Sequence, residues 1–81
     1  MYIDMSQNVF SKNLRFLRTL YEVPAKTLAN LIGLDVNTLL NIEAQIPPVV
    51  IPVDAFFRIC HIFDVAPKEI TTDDLTPLGE E

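Results

Sequence analysis

Apolar residues recur at three- and four-residue steps along most of this chain, the spacing that lines one face of an α-helix. Phe10, Leu14, Leu17 and Tyr21 predict a first helix over about Val9 to Tyr21, with Phe16 and Leu20 widening its stripe and Ser6 or Asn8 as caps. Leu28, Ala29 and Ile32 predict a second helix after Val23-Pro24, and Leu39 and Ile42 a third, over about Val36 to Ala44. Val53, Phe56, Phe57, Ile59, Cys60 and Phe63 predict a fourth over Val53 to Phe63, the most apolar, as the floor of the core. A fifth begins near Ala66-Pro67 and is anchored by Ile70; its first turn tolerates a proline because the missing N–H would be unpaired there anyway. Leu75 and Leu78 are the last apolar pegs. Residues 1–8 carry no periodic signal, and both they and the acidic end at 76–81 are expected to be loose.

The punctuation between the second and third helices is the sharpest local signal. Gly33 stands where the second helix must stop, and a residue without a Cβ enters the left-handed region at no steric cost. Asp35 follows in N-cap position, its carboxylate able to accept from the free N–H groups of the next turn. Helix, glycine-containing turn, helix is the sequence form of a helix-turn-helix, here within Pro24 to Gln45.

The motifs extend beyond that unit. Leu28-Ala29, Ile32-Gly33-Leu34, Thr38-Leu39 and Ile42-Glu43 occur in an order and spacing that resembles the Cro/C1-type (XRE-like) helix-turn-helix family of phage and bacterial repressors. Leu14-Arg15-Phe16-Leu17-Arg18 resembles the family's first helix, and Phe63 through Ile70 the junction into its last, so the likeness spans residues 10 to 75. The resemblance implies an all-α, five-helix, lambda-repressor-like DNA-binding domain filling the whole chain, 1–81, with a core over about 9–75. It also implies a transcriptional regulator, phage-like or bacterial, that acts as a homodimer on double-stranded operator DNA.

Helical spacing gives the third helix an outward face of Val36, Asn37, Leu40 and Asn41, with Thr38 at its edge. Asparagine is a good bidentate partner for adenine, and aliphatic methyls can pack on a thymine methyl. Lys26, Lys12, Arg15 and Arg18 are the candidate phosphate contacts, with a solvated helix face as the plainer reading of the last three. Three positions depart from the family. Ala25 stands where the family has a Gln that contacts phosphate, and Leu40 where it prefers a polar residue. The segment Ile46 to Pro52 has prolines and β-branched aliphatics where the family has Gly and basic side chains. That segment either folds Ile46, Val49, Val50 and Ile51 back over the core or presents them to a partner. With Ile70, Leu75 and Leu78, they are the candidate partner or dimer interface.

Charge changes the picture more than size does. The 81 residues make one small domain, 49% apolar, with a net charge of −5. The lysines and arginines of residues 1–46 balance the acids there, and the deficit lies in residues 47–81. A basic footprint, the usual mark of a nucleic-acid binder, is missing. That favours the alternative of a helix-turn-helix turned to protein binding, a modulator or antirepressor docking on another regulator protein. No Gly-rich phosphate loop, Ser/His/Asp set or metal-ligand spacing occurs, so neither catalysis nor a cofactor, metal or small-molecule substrate is expected. His61 reads as a surface residue and Cys60 as a small buried hydrophobe. With a single cysteine and no leader-like or membrane-length apolar run, a cytoplasmic protein away from membranes is expected.

Overall fold

A three-residue turn, Gly33 to Asp35, joins the two helices around which the other elements are arranged, α2 (Ala25–Ile32) and α3 (Val36–Glu43). The computed structural model describes residues 1–75, in the order β1 (Tyr2–Asp4), α1 (Phe10–Leu20), α2, α3, β2 (Val50–Pro52), α4 (Val53–Phe63) and α5 (Pro67–Thr72). Leu28, Ala29, Ile32, Leu39 and Ile42 are buried as their spacing predicts. They meet Phe10, Leu14 and Leu17 of α1, Phe56, Ile59, Cys60 and Phe63 of α4, and Ile70 of α5 in one core.

The helix ends share one device. After α1, α2, α3 and α4 the chain turns through a left-handed residue, Glu22, Gly33, Gln45 and Asp64 respectively. The next N–H then bonds to the carbonyl five residues back: Val23 to Arg18 at 2.9 Å, Leu34 to Ala29 at 2.9 Å, Ile46 to Asn41 at 2.9 Å and Val65 to Cys60 at 3.0 Å. This closure satisfies helix-end carbonyls that would otherwise lack partners. Only at Gly33 (φ +77°) is the turn residue free of steric cost. A Cβ there would meet its nearest atom, Arg58 Nη1, at an ordinary 3.7 Å, so the backbone alone sets the penalty. Gly33→Ala is therefore expected to cost about 1 kcal/mol, read as a lower urea midpoint at unchanged slope.

Helix starts are marked differently. Asp35 Oδ2 accepts from Asn37 N at 3.0 Å, the N-cap bond expected for α3. Asn8 Oδ1 accepts from Phe10 N at 2.9 Å at the entry to α1, while Ser6 binds Asp4 instead. That bond from Ser6 lowers the Asp4 pKa. At α5, Glu69 reaches back to the N–H of Ala66 at 2.9 Å.

The domain is mostly helical but not all-α. β1 and β2 pair antiparallel, Tyr2 opposite Pro52, Ile3 opposite Ile51 and Asp4 opposite Val50. Met5 N donates to Val49 O at 2.7 Å and Val53 N to Met1 O at 3.0 Å, which extends the ladder at both ends. The first residues are thus tied down rather than loose, and Met5 is buried in the core. Three-residue strands are too short to display a period, and their pairing is non-local.

Side-chain placement refines further expectations. Tyr21 is exposed, resting on Phe63 with ring centroids 5.8 Å apart, and Leu20 faces out. Phe57 is 52% exposed because it lies about 100° round α4 from Phe56, off the inward stripe of Phe56, Ile59, Cys60 and Phe63. Val49 and Ile51 point into the core while Ile46 stays out, so the proline-rich segment divides between the two readings. Ile70 is fully buried and presents no exposed surface, Leu75 is half-buried against the core, and Leu78 lies outside the described residues.

Asn13, fully buried on α1, holds the end of the described chain in place. Its Nδ2 donates to Ile70 O (2.9 Å) and Asp73 O (2.7 Å), and its Oδ1 accepts from Leu75 N (3.0 Å). A buried amide that satisfies three backbone groups is a strong local anchor.

Candidate functional site

The outward side of α3 is open. Asn37, Thr38, Leu40 and Asn41 are exposed together, and Val36 is half-buried against the core. The 3.6-residue period puts Leu39 and Ile42 inward and leaves these side chains outward. All five are the residues assigned to this face by spacing alone.

The orientation of α3 is set from its far end by an ion pair with α1. Arg18 Nε and Nη2 donate to Glu43 Oε2 and Oε1 at 2.7 and 2.9 Å, a two-pronged contact. The Arg18 Nη1 also donates to Val23 O at 3.1 Å, so one guanidinium links α1, the turn before α2, and α3. The side chains are 15% and 4% exposed, and the Glu43 carboxylate holds the guanidinium pKa above its ordinary value. Arg18 is thus a structural cation, and its expected role in phosphate contact is corrected. On a helical wheel it lies one turn after Leu14, about 40° away, on the inner side of α1.

The other cations separate into two groups. Lys12 Nζ pairs with Asp74 Oδ2 at 3.0 Å, and both side chains are about half exposed. That surface pair adds little stability but partly neutralises Lys12. Arg15 and Lys26 are exposed and, among the described residues, make no ion pair. Arg15 borders a shallow depression with Leu40 and Ala44, directly beside the α3 face. Lys26 sits in the first turn of α2, whose N-cap, Pro24, supplies no side-chain bond to the free N–H groups.

On its other flank, α3 borders a groove of about 370 Å³ whose walls include Thr38, Asn41, Ile46, Pro47, Pro48 and Tyr2. Tyr2 and Ile46 are both more than half exposed. The pairing of β1 with β2 carries Tyr2 to this place, and no linear signal in residues 1–8 pointed to it. The β-branched run Val49-Val50-Ile51 was the one cue that a strand could form there.

Cys60 is buried, and burial pushes its thiol pKa up. His61 is exposed on α4. Among the described residues no grouping of His, Cys, Asp and Glu could hold a metal ion, and no helix is long and apolar enough to cross a membrane. Comparison of the chain with protein-family models, curated proteins and solved structures finds no match.

Proposed function

We propose that this chain is a small DNA-binding regulator of the lambda-repressor-like, Cro/C1-type kind, acting as a dimer on operator DNA in the cytoplasm. The observation that carries the reading is the outward face of α3, where Asn37, Thr38, Leu40 and Asn41 stand exposed on a helix fixed by Arg18 and Glu43. Asn37 and Asn41 read base edges in the major groove, and Leu40 with the half-buried Val36 gives methyl contacts. Arg15 and Lys26 supply the phosphate contacts, and Lys12 contributes weakly because of Asp74.

Two strong cations per protomer make a specific salt signature. Each phosphate contact contributes about −0.9 to the slope of log K against log salt, so a dimer should show a slope of about −4. Fluorescence anisotropy against pooled genomic duplexes at low and moderate salt measures both affinity and slope. Asn37→Ala and Asn41→Ala are each expected to weaken specific binding by about tenfold. No binding by the wild-type chain even at low salt would remove the DNA reading.

A second reading, docking on another regulator protein, is favoured by the apolar groove between α3 and the proline-rich segment. Tyr2, Ile46, Pro47 and Pro48 line it without a cation, on a chain of net charge −5. Under that reading the wild-type chain fails the duplex titration and instead retains a host protein. Tyr2→Asp and Ile46→Asp, both in that groove, then release that protein.

A further inference from the structure

The outward face of α4 carries a second exposed apolar surface, remote in composition from α3. Asp54, Phe57, Arg58, His61 and Ile62 lie on it, and Leu31 of α2 forms the opposite wall of a groove of about 480 Å³. Leu31 and Phe57 are each 52% exposed and Ile62 is 37% exposed. None of the residues that line it belongs to α3. A large aromatic and two aliphatics left in water on one side of a small domain mark a contact surface rather than scattered exposure.

The charges of this face point to its occupant. Along α4 the order is Asp54 near the start, Arg58 one turn on and His61 in the last turn. Two such helices laid antiparallel about a two-fold axis near Phe57 place Asp54 of each copy over the Arg58–His61 turn of the other. The phenylalanines then flank the axis, and Leu31 and Ile62 close the rim. The stripe is its own electrostatic complement. It is also close to neutral, with Asp54 offsetting Arg58, on a chain whose acidic excess lies in residues 47–81. A neutral face is where two copies of an acidic chain approach with least repulsion.

We propose that a second copy of this chain docks on the Leu31–Phe57–Ile62 face, so that α4 packs antiparallel on α4 of its partner and both α3 faces stay open. This rests on the dimeric part of the functional reading above and replaces the interface expected at Val49, Ile51 and Ile70, which are buried.

Sedimentation equilibrium of the full chain from micromolar to millimolar concentration tests the proposal. A reversible monomer–dimer equilibrium is expected, and Phe57→Asp should raise its dissociation constant by at least about tenfold. Asp54→Arg, which sets cation against cation, should weaken it likewise, whereas Asp54→Arg combined with Arg58→Asp restores self-complementarity and association. All three positions are exposed, and circular dichroism verifies that each variant is folded. A wild-type chain that stays monomeric throughout overturns the proposal and leaves the groove to a different partner. So does a dimer indifferent to Phe57→Asp, or a charge-swapped double variant no better than Asp54→Arg. Duplex binding is titrated in parallel. Wild-type dimers that bind no duplex defeat the DNA reading alone, and a monomer that binds half-sites defeats the dimer proposal alone.

Discussion

Replacing Arg18 with methionine is expected to destabilise the domain by about 3 kcal/mol, because it leaves Glu43 buried with no compensating charge. The carboxylate is 4% exposed and cannot recover its hydration without opening the contact between α1 and α3. The value stands at the low end of what removing one partner of a buried pair costs, since Arg18 itself keeps some access to water. The variant also loses the bond to Val23 O, which loosens the turn before α2. Urea denaturation gives the size of the effect, and amide exchange gives its place: protection should fall first in α3 and around Val23. Arg18→Met together with Glu43→Leu should recover most of the loss, because an apolar pair satisfies that site without desolvating charge. If the single change costs under about 1 kcal/mol, the pair is too well hydrated to fix α3.

The second large effect separates the two sides of the proline-rich segment. Ile51→Ala is expected to cost about 3 kcal/mol, since Ile51 is fully buried in β2 opposite Ile3 and the vacated volume has little room to collapse. Ile46→Ala, five residues earlier and 51% exposed, should change stability by less than about 0.5 kcal/mol. Parallel urea titrations of the two variants give the comparison. Equal costs would mean that the ribbon does not hold Ile51 in the core.

Much of this architecture is written in local signals. Gly33 and Asp35 specify the turn and the start of α3 because one lacks a Cβ and the other accepts from the free N–H of Asn37. Pro24, Pro52 and Pro67 stand just before or at the first residue of α2, α4 and α5, where a missing donor costs nothing. The outward face of α3 was readable for the same reason, since burial of Leu39 and Ile42 leaves the helix period no other choice. What was not legible depends on partners far away in the chain. Tyr2–Asp4 has no period of its own and becomes a strand only through Val50–Pro52. Arg18 looks like one of three surface cations until Glu43, 25 residues later, is brought beside it. Asn13 gives no sign in the sequence that it anchors the backbone near Leu75. The apolar run of α4 hid the exposure of Phe57, because such a run does not say how wide the buried arc is.

The long-range ties of α1 and β1 all run forward along the chain: β1 to residues 50–52, Arg18 to Glu43, and Asn13 to residues 70–75. During synthesis β1 and α1 therefore leave the ribosome before the residues they pair with. A nascent chain that has reached only Pro48 can form helices but cannot close the ribbon or bury Met5 beneath it. Such an intermediate carries an unpaired β1 edge and an open core, the state in which a small domain is most exposed to mispairing with its neighbours.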